Sequence, residues 1–133
     1  TITGDINVFD AVNTSTYVNL VTPNVYYEIL DQTLAAPDIS HQVMASVVMQ
    51  ATKSQSGGTQ VDMKITMTPT GGSTVTVFEG GHDHNFSNGS ISQAAAGSLS
   101  STTTTSVKVQ VYAKKHGKGV VVTKIHGFIG GIR

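Results

Sequence analysis

Residues 106–133 read SVKVQVYAKKHGKGVVVTKIHGFIGGIR, and this stretch decides the fold class. In its first half Val107, Val109, Val111 and Ala113 alternate with Lys108, Gln110, Tyr112 and Lys114. Successive side chains of an extended chain point to opposite faces, so this period of two gives one apolar and one polar face. The loop His116-Gly117-Lys118-Gly119 carries the glycines that a tight hairpin needs at positive φ. From Val120 to Ile125 the chain is mostly β-branched, and it then runs into Gly127-Phe128-Ile129-Gly130-Gly131-Ile132. This last run is apolar on both faces, more than one small sandwich needs. It predicts that other copies of the chain complete the core, with Val122, Ile125, Phe128, Ile129 and Ile132 as the oligomer interface.

Working outward, residues 60–68 give the cleanest alternation, with Val61, Met63, Ile65 and Met67 on one face and Asp62, Lys64, Thr66 and Thr68 on the other. Residues 69–72 (PTGG) are a turn signal, and residues 73–79 form the partner strand, which Gly80 and Gly81 are expected to break. Residues 40–52 make the longest early strand. Both of its faces are substantially apolar, which predicts a central strand covered on both sides. Residues 54–58 (SQSGG) read as a hairpin loop. Near the beginning, residues 1–13 suggest an edge strand, 13–15 a turn, and 17–21 and 25–30 two further strands. Residues 31–36 alone have helical composition, limited to one or two turns by Pro37. Residues 90–92 look like a short strand and 94–106 like an extended connection or loose strand. The sum is an all-β chain of about eight strands, an antiparallel β-sandwich or jelly roll. We expect one domain over residues 1–133, either a processed chain or part of a longer one.

Composition narrows the function. Eight Lys plus Arg balance eight Asp plus Glu, and only 12% of residues are charged, about half the usual share. A neutral surface rich in Thr, Ser, Asn and Gln argues against nucleic-acid binding, which needs a basic patch. No apolar run approaches the roughly 20 residues that cross a bilayer as a helix, so membrane insertion is not expected. With no cysteine there is neither a disulfide framework nor a thiolate metal site. The carboxylates show no paired spacing suited to acid–base chemistry, and no G-x-S-x-G elbow or phosphate loop occurs. We therefore expect no enzyme. Low charge also guards poorly against self-association, which suits a protein that assembles.

The ending His126-Gly127-Phe128-Ile129-Gly130-Gly131 resembles the last strand of the tumour-necrosis-factor and complement-globular-head jelly rolls. The strand around residues 43–49 resembles an inner-sheet strand of the same domains. That resemblance implies a trimer, with the last strand near the threefold axis. Similar trimeric heads occur on bacteriophage tail fibres, spikes and capsid fibres. It implies a virion structural protein, at the virion surface or extracellular, which contacts other virion proteins and binds a host-surface glycan or protein. Two rivals stand beside it: a self-assembling capsid, decoration or pilus-like subunit without a ligand, and a carbohydrate-binding module. The module would usually display an aromatic platform, for which Tyr17, Tyr26, Tyr27 and Tyr112 are few.

The sharpest local motif is Gly80-Gly81-His82-Asp83-His84-Asn85. His-x-His on an extended chain puts two imidazoles on one side, and neutral imidazole is the commonest metal ligand. Three such pairs around a threefold axis would offer six nitrogens to a transition metal, as in the phage fibre tips that this motif resembles. The bland alternative is a solvated polar turn. The loop containing His82, Asp83, His84, Asn85, Phe86 and Asn88 is the leading candidate for receptor binding, with residues 54–58 and 69–72 beside it. Lys114, Lys115 and Lys118 form a basic hairpin tip, read either as a contact for an acidic glycan or neighbouring subunit, or as a solvated tip that blocks edge pairing.

Overall fold

Period-two alternation builds the strands. In β4 (Thr59–Pro69) Val61, Met63, Ile65 and Met67 are fully buried, while Asp62, Lys64 and Thr68 reach toward solvent. In β7 (Ser106–Lys115) Val107, Val109, Val111 and Ala113 are likewise buried. The remaining strands are β1 (Ile6–Asn19), β2 (Tyr27–Ala35), β3 (Ser40–Lys53), β5 (Val75–His84), β6 (Gly89–Thr103) and β8 (Val120–Ile132). The computed structural model describes residues 6–35, 40–53, 59–84, 88–103, 106–117 and 119–132, with side chains described at 17–34, 42–53, 59–84, 88–100, 106–117 and 119–131.

All pairings among the described residues are antiparallel, and they join β1 with β8, β2 with β7, β3 with β6 and β4 with β5. Alternate pairs of this ribbon fall in alternate sheets, where β8 also pairs with β3 and β7 with β4. The result is two four-stranded sheets, ordered β1-β8-β3-β6 and β2-β7-β4-β5. This interleaving is the jelly roll, a sandwich of two Greek keys. Between the sheets lie Val43, Val47 and Met49 of β3, Met63, Ile65 and Met67 of β4, and Val122, Ile125 and Ile129 of β8. Each such side chain contributes roughly 1.5–3 kcal/mol by leaving water.

Three local expectations give way to sheet pairing. The turn at 13–15 does not form. Asn13, Thr14 and Ser15 sit in the β1–β8 ladder opposite His126, Ile125 and Lys124, and a bulge between Ser15 and Val18 absorbs the irregularity. The helical turn at 31–36 is also absent over its described part, residues 31–35. There β2 continues, with Leu34 buried opposite Val107 and Asp31 turned outward to Lys108 at 3.5 Å. Backbone bonds from β7 outweigh the weak helical preference of so short a run. Finally, Gly80 and Gly81 do not end β5, which runs on to His84. Gly81 pairs with Asp62, and a Cβ there would overlap the Asp62 carboxylate, so the missing side chain makes room for a neighbour on the same face.

A fourth expectation holds by half. β3 is central, flanked by β8 and β6, with Val43, Ala45, Val47, Met49 and Ala51 buried. Its other face is only half covered within one chain: Met44, Ser46 and Val48 remain partly exposed.

Candidate functional site

β5 and β6 are edge strands of different sheets and lie side by side. They touch at Gly97, where an added Cβ would come 2.7 Å from Val77 Cγ2 and 2.8 Å from the Val77 carbonyl oxygen. Beyond that point they diverge around a cleft of about 390 Å³, lined by Phe78, Gly80, Gly81, His82, Ser92, Gln93 and Ala94. The far end is closed by a side-chain bridge. His84 Nε2 lies 2.9 Å from Gln93 Oε1, and Gln93 Nε2 donates to the Val61 carbonyl at 2.9 Å. Because the amide NH₂ is committed to Val61, its oxygen faces His84, so His84 Nε2 carries the proton and donates. A metal at His84 would therefore have to use Nδ1.

The cleft gathers part of the predicted site and leaves part elsewhere. His82 and His84 lie on β5, their rings 5.1 Å apart and near perpendicular, but their settings differ: His84 is buried and His82 exposed. Asp83 points to the opposite face, opposite Gln60. Asn88 is exposed just before β6, whereas Asn85 and Phe86 lie outside the described residues, as do 54–58. Among the described residues no group of three or more His, Cys, Asp or Glu side chains could hold a metal. The cleft lining is uncharged apart from any charge on His82. With the His82 imidazole, the Ser92 hydroxyl, the Gln93 amide and the Phe78 ring, it suits a neutral polar group. Sequence reasoning missed Gln93. Its signal was its isolation, as the one long polar side chain in residues 89–100.

The outer faces of the two sheets differ sharply. On β2-β7-β4-β5 the register places Glu28, Asp31, Asp62, Lys64, Glu79, Asp83, Lys108 and Lys114 on one surface. Tyr26 is central to it. Lys64 Nζ lies 4.4 Å from the Tyr26 ring centroid and 4.8 Å from that of Tyr112, and Lys114 Nζ lies 4.4 Å from Tyr26. The Tyr26 hydroxyl donates to Glu79 Oε2 at 2.7 Å. Burial, followed by this bond and the negative charges of Glu79 and Asp62, pushes the phenol well above its ordinary range. Asp62 accepts from Gln60 and His116, each at 2.7 Å, and faces Lys114 at 3.5 Å. Burial opposes its ionisation, but the Gln60 and His116 bonds and the charges of His116 and Lys114 outweigh it and hold the carboxyl below its usual range.

On β1-β8-β3-β6 the outward positions of β3 are Gln42, Met44, Ser46, Val48, Gln50 and Thr52. Their neighbours on the same face include Ser92, Ala94, Ala96 and Ser98 of β6 and Val121, Lys124, His126 and Phe128 of β8. Among the described side chains Lys124 is the one Lys, Arg, Asp or Glu here.

Two sequence expectations need correcting. Val122, Ile125 and Ile129 are fully buried inside a single chain, so they cannot also present an interface. A bulge opposite Gln50 and Ala51 shifts the alternation and turns both Val122 and Ile125 inward. Of the expected set, Phe128 is half-buried on the outer face, and the Ile132 side chain lies outside the described ones. The lysine cluster is also divided: Lys114 joins Asp62, Lys115 is buried, and Lys118 is outside the described residues.

No protein-family model matches this sequence, and a search of curated proteins finds no match. Solved structures do match. The VP2 subviral particle of infectious bursal disease virus overlays 94% of this chain on 32% of its own, at TM-score 0.55 and 14% identity. The T13 particle of the same virus overlays 98% of this chain on 32% of its own, at TM-score 0.54 and 12% identity. This chain thus spans about a third of the length of those proteins. At such identity the likeness concerns the fold. A tumour-necrosis-factor domain, Eiger from S. frugiperda, overlays 96% of this chain at TM-score 0.45 and 12% identity, too low to single out that type of jelly roll.

Proposed function

We propose that this chain is a structural domain of a virus particle, on a capsid surface, fibre or spike. In this reading copies pack as trimers through the outer face of the β1-β8-β3-β6 sheet, and the remaining surface meets a host glycan or protein. The observation that carries it is the division of charge between the two outer faces. Charged side chains are depleted from the centres of protein interfaces because each must be stripped of water there. One broad face of this sandwich presents Met44, Val48, Ala94, Ala96 and Phe128 with little charge, while the other concentrates the charged residues. The jelly-roll fold, shared with the capsid proteins above, is consistent with this reading. The β5–β6 cleft, with His82, Ser92 and Gln93, is the recognition surface assigned here. Single contacts there are modest, and a trimer would raise their effect by multivalence. A metal held by His82 and His84 would belong to the assembled trimer.

Phe128→Asp tests the packing face. Phe128 is half-buried on the outside, so the single fold should survive by circular dichroism while a native trimer falls to single chains. A wild-type chain that is not trimeric, or a variant that stays trimeric, would overturn the threefold reading.

A further inference from the structure

Sheet edges invite pairing with another chain, and proteins usually guard them with charge, proline or bulges. Three of the four edges here are guarded. β2 carries Glu28 and Asp31, β5 carries Glu79 and Asp83, and β1 is broken by register shifts between Ile6 and Val8 and between Ser15 and Val18. The fourth, β6, is a 15-residue strand without a charge or a proline. Its ladder to β3 is unbroken from Gly89 to Leu99. Among the described residues no strand pairs with its outer edge, and Ser90, Ser92, Ala94, Ala96, Ser98 and Ser100 are exposed along it.

The sequence of this edge is close to a palindrome. Residues 90–100 read SISQAAAGSLS, matched in size and polarity about Ala95 at every pair but Gln93 and Gly97. We propose that β6 pairs antiparallel with β6 of a second copy of this chain, about a two-fold axis through Ala95. In such a pair every residue meets its mirror position. Ala94 opposes Ala96, Ser92 opposes Ser98, Ser90 opposes Ser100, and aliphatic Ile91 opposes aliphatic Leu99. The one long polar side chain, Gln93, opposes Gly97, which has none. Cross-strand partners are the unit of sheet stabilisation, and like charges placed opposite each other are what self-pairing must avoid. This edge matches itself in both respects, whereas β2 or β5 paired with itself would confront carboxylates. A two-fold contact uses the same patch on both copies, and a self-matching strand is one way to make it. The two β1-β8-β3-β6 sheets become one continuous sheet with β6 beside β6 at its centre. The contact goes beyond the threefold packing proposed above and does not require it. Because it uses Ser92, Gln93 and Ala94 at the rim of the β5–β6 cleft, a paired copy and a ligand in that cleft would compete.

The chain has no cysteine, so introduced thiols report the register directly. Ala94→Cys and Ala96→Cys proteins are prepared separately and mixed under mild oxidation. Directly paired positions bring Cα atoms within disulfide range, whereas identical positions two residues off register lie farther apart. The mixture should give a covalent dimer joining residue 94 of one chain to 96 of the other, and each protein alone should remain reduced. In parallel, in a Phe128→Asp background that already removes the threefold packing, A94K/A96K and A94E/A96E should each halve the native mass of the remaining dimer, and mixing the two should restore it. Circular dichroism confirms that both remain folded. Cross-linking that is equal in the mixture and the separate proteins, or absent throughout, overturns the proposal. So does a native mass unchanged in A94K/A96K. Phe128→Asp should leave the 94–96 cross-link intact even where it abolishes a trimer, so failure of one interface is distinguishable from failure of the other.

Discussion

Gln93→Ala should loosen the sandwich where its two sheets are tied together at an open edge. The amide bridges them, accepting from His84 Nε2 and donating to the Val61 carbonyl, each at 2.9 Å. Truncation removes both bonds and leaves a buried imidazole N–H and a backbone carbonyl of a buried residue without that partner. Each such lost bond at a buried group costs about 1–3 kcal/mol, and the half-exposed setting of Gln93 lets water relieve part of it. A loss of about 2–3 kcal/mol is expected, equivalent to a drop of roughly 10 °C in Tm for a domain of this size. Urea unfolding of wild type, Q93A, H84A and the double variant gives a complete cycle. Once Gln93 is gone, removing His84 no longer breaks their shared bond, so the double variant should fall short of additivity by about 1 kcal/mol. A Q93A loss below about 0.5 kcal/mol, the range of ordinary surface changes, or strict additivity of the two substitutions, would refute the bridge.

Two further substitutions probe the packing and the charged face. Gly97→Ala should cost about 1–3 kcal/mol by pressing β6 off β5. Adding Val77→Ala should restore only part of this, because the Val77 carbonyl oxygen, at 2.8 Å from the new Cβ, stays in place. Asp62→Asn should cost about 1 kcal/mol at neutral pH. Because the folded Asp62 carboxyl titrates below its unfolded value, its contribution is present above about pH 4 and fades as pH falls through the folded value. The stability gap between wild type and D62N should therefore close on acidification, as urea midpoints at pH 7 and pH 3 would show.

The strands that carry strict alternation were legible from their residues. β7 has one side chain in two buried, and β4 follows the same pattern except at Thr66, which was expected to face outward and is buried between Ile65 and Met67. Failures came where local signals opposed long-range pairing. Asn13-Thr14-Ser15 has turn chemistry, but the ladder to β8 satisfies its backbone. Asp31 to Ala35 has mildly helical composition, yet Leu34 fills the core opposite Val107. The β8 interface was misjudged for a different reason. A single bulge changes which residues face inward, and no residue in Thr123-Lys124 announces it. At the candidate site His82 and His84 were found by spacing. Gln93 and Phe78, which give those imidazoles their setting, come from other positions and are joined to them only by the winding of the chain. The cluster of Tyr26, Lys64, Lys114 and Asp62 draws on three separate segments, and no linear pattern encodes it.

The winding itself has a kinetic side. Of the four strand pairs in the ribbon, only β4–β5 joins neighbours in sequence, across the short turn at 69–74. β3–β6, β2–β7 and β1–β8 each close a longer loop than the one before. Loop closure costs entropy that rises with length, so the pairs are expected to form from the central hairpin outward, and a topology so dominated by distant contacts folds slowly. In that order β6 docks on β3 early, and the opposite edge of β3 is bare while β1 and β8 are still unplaced. During that interval the edge is open to any passing strand. The chain's residence time in the half-wound state, set by its topology, then governs how much of it reaches the native form at high concentration.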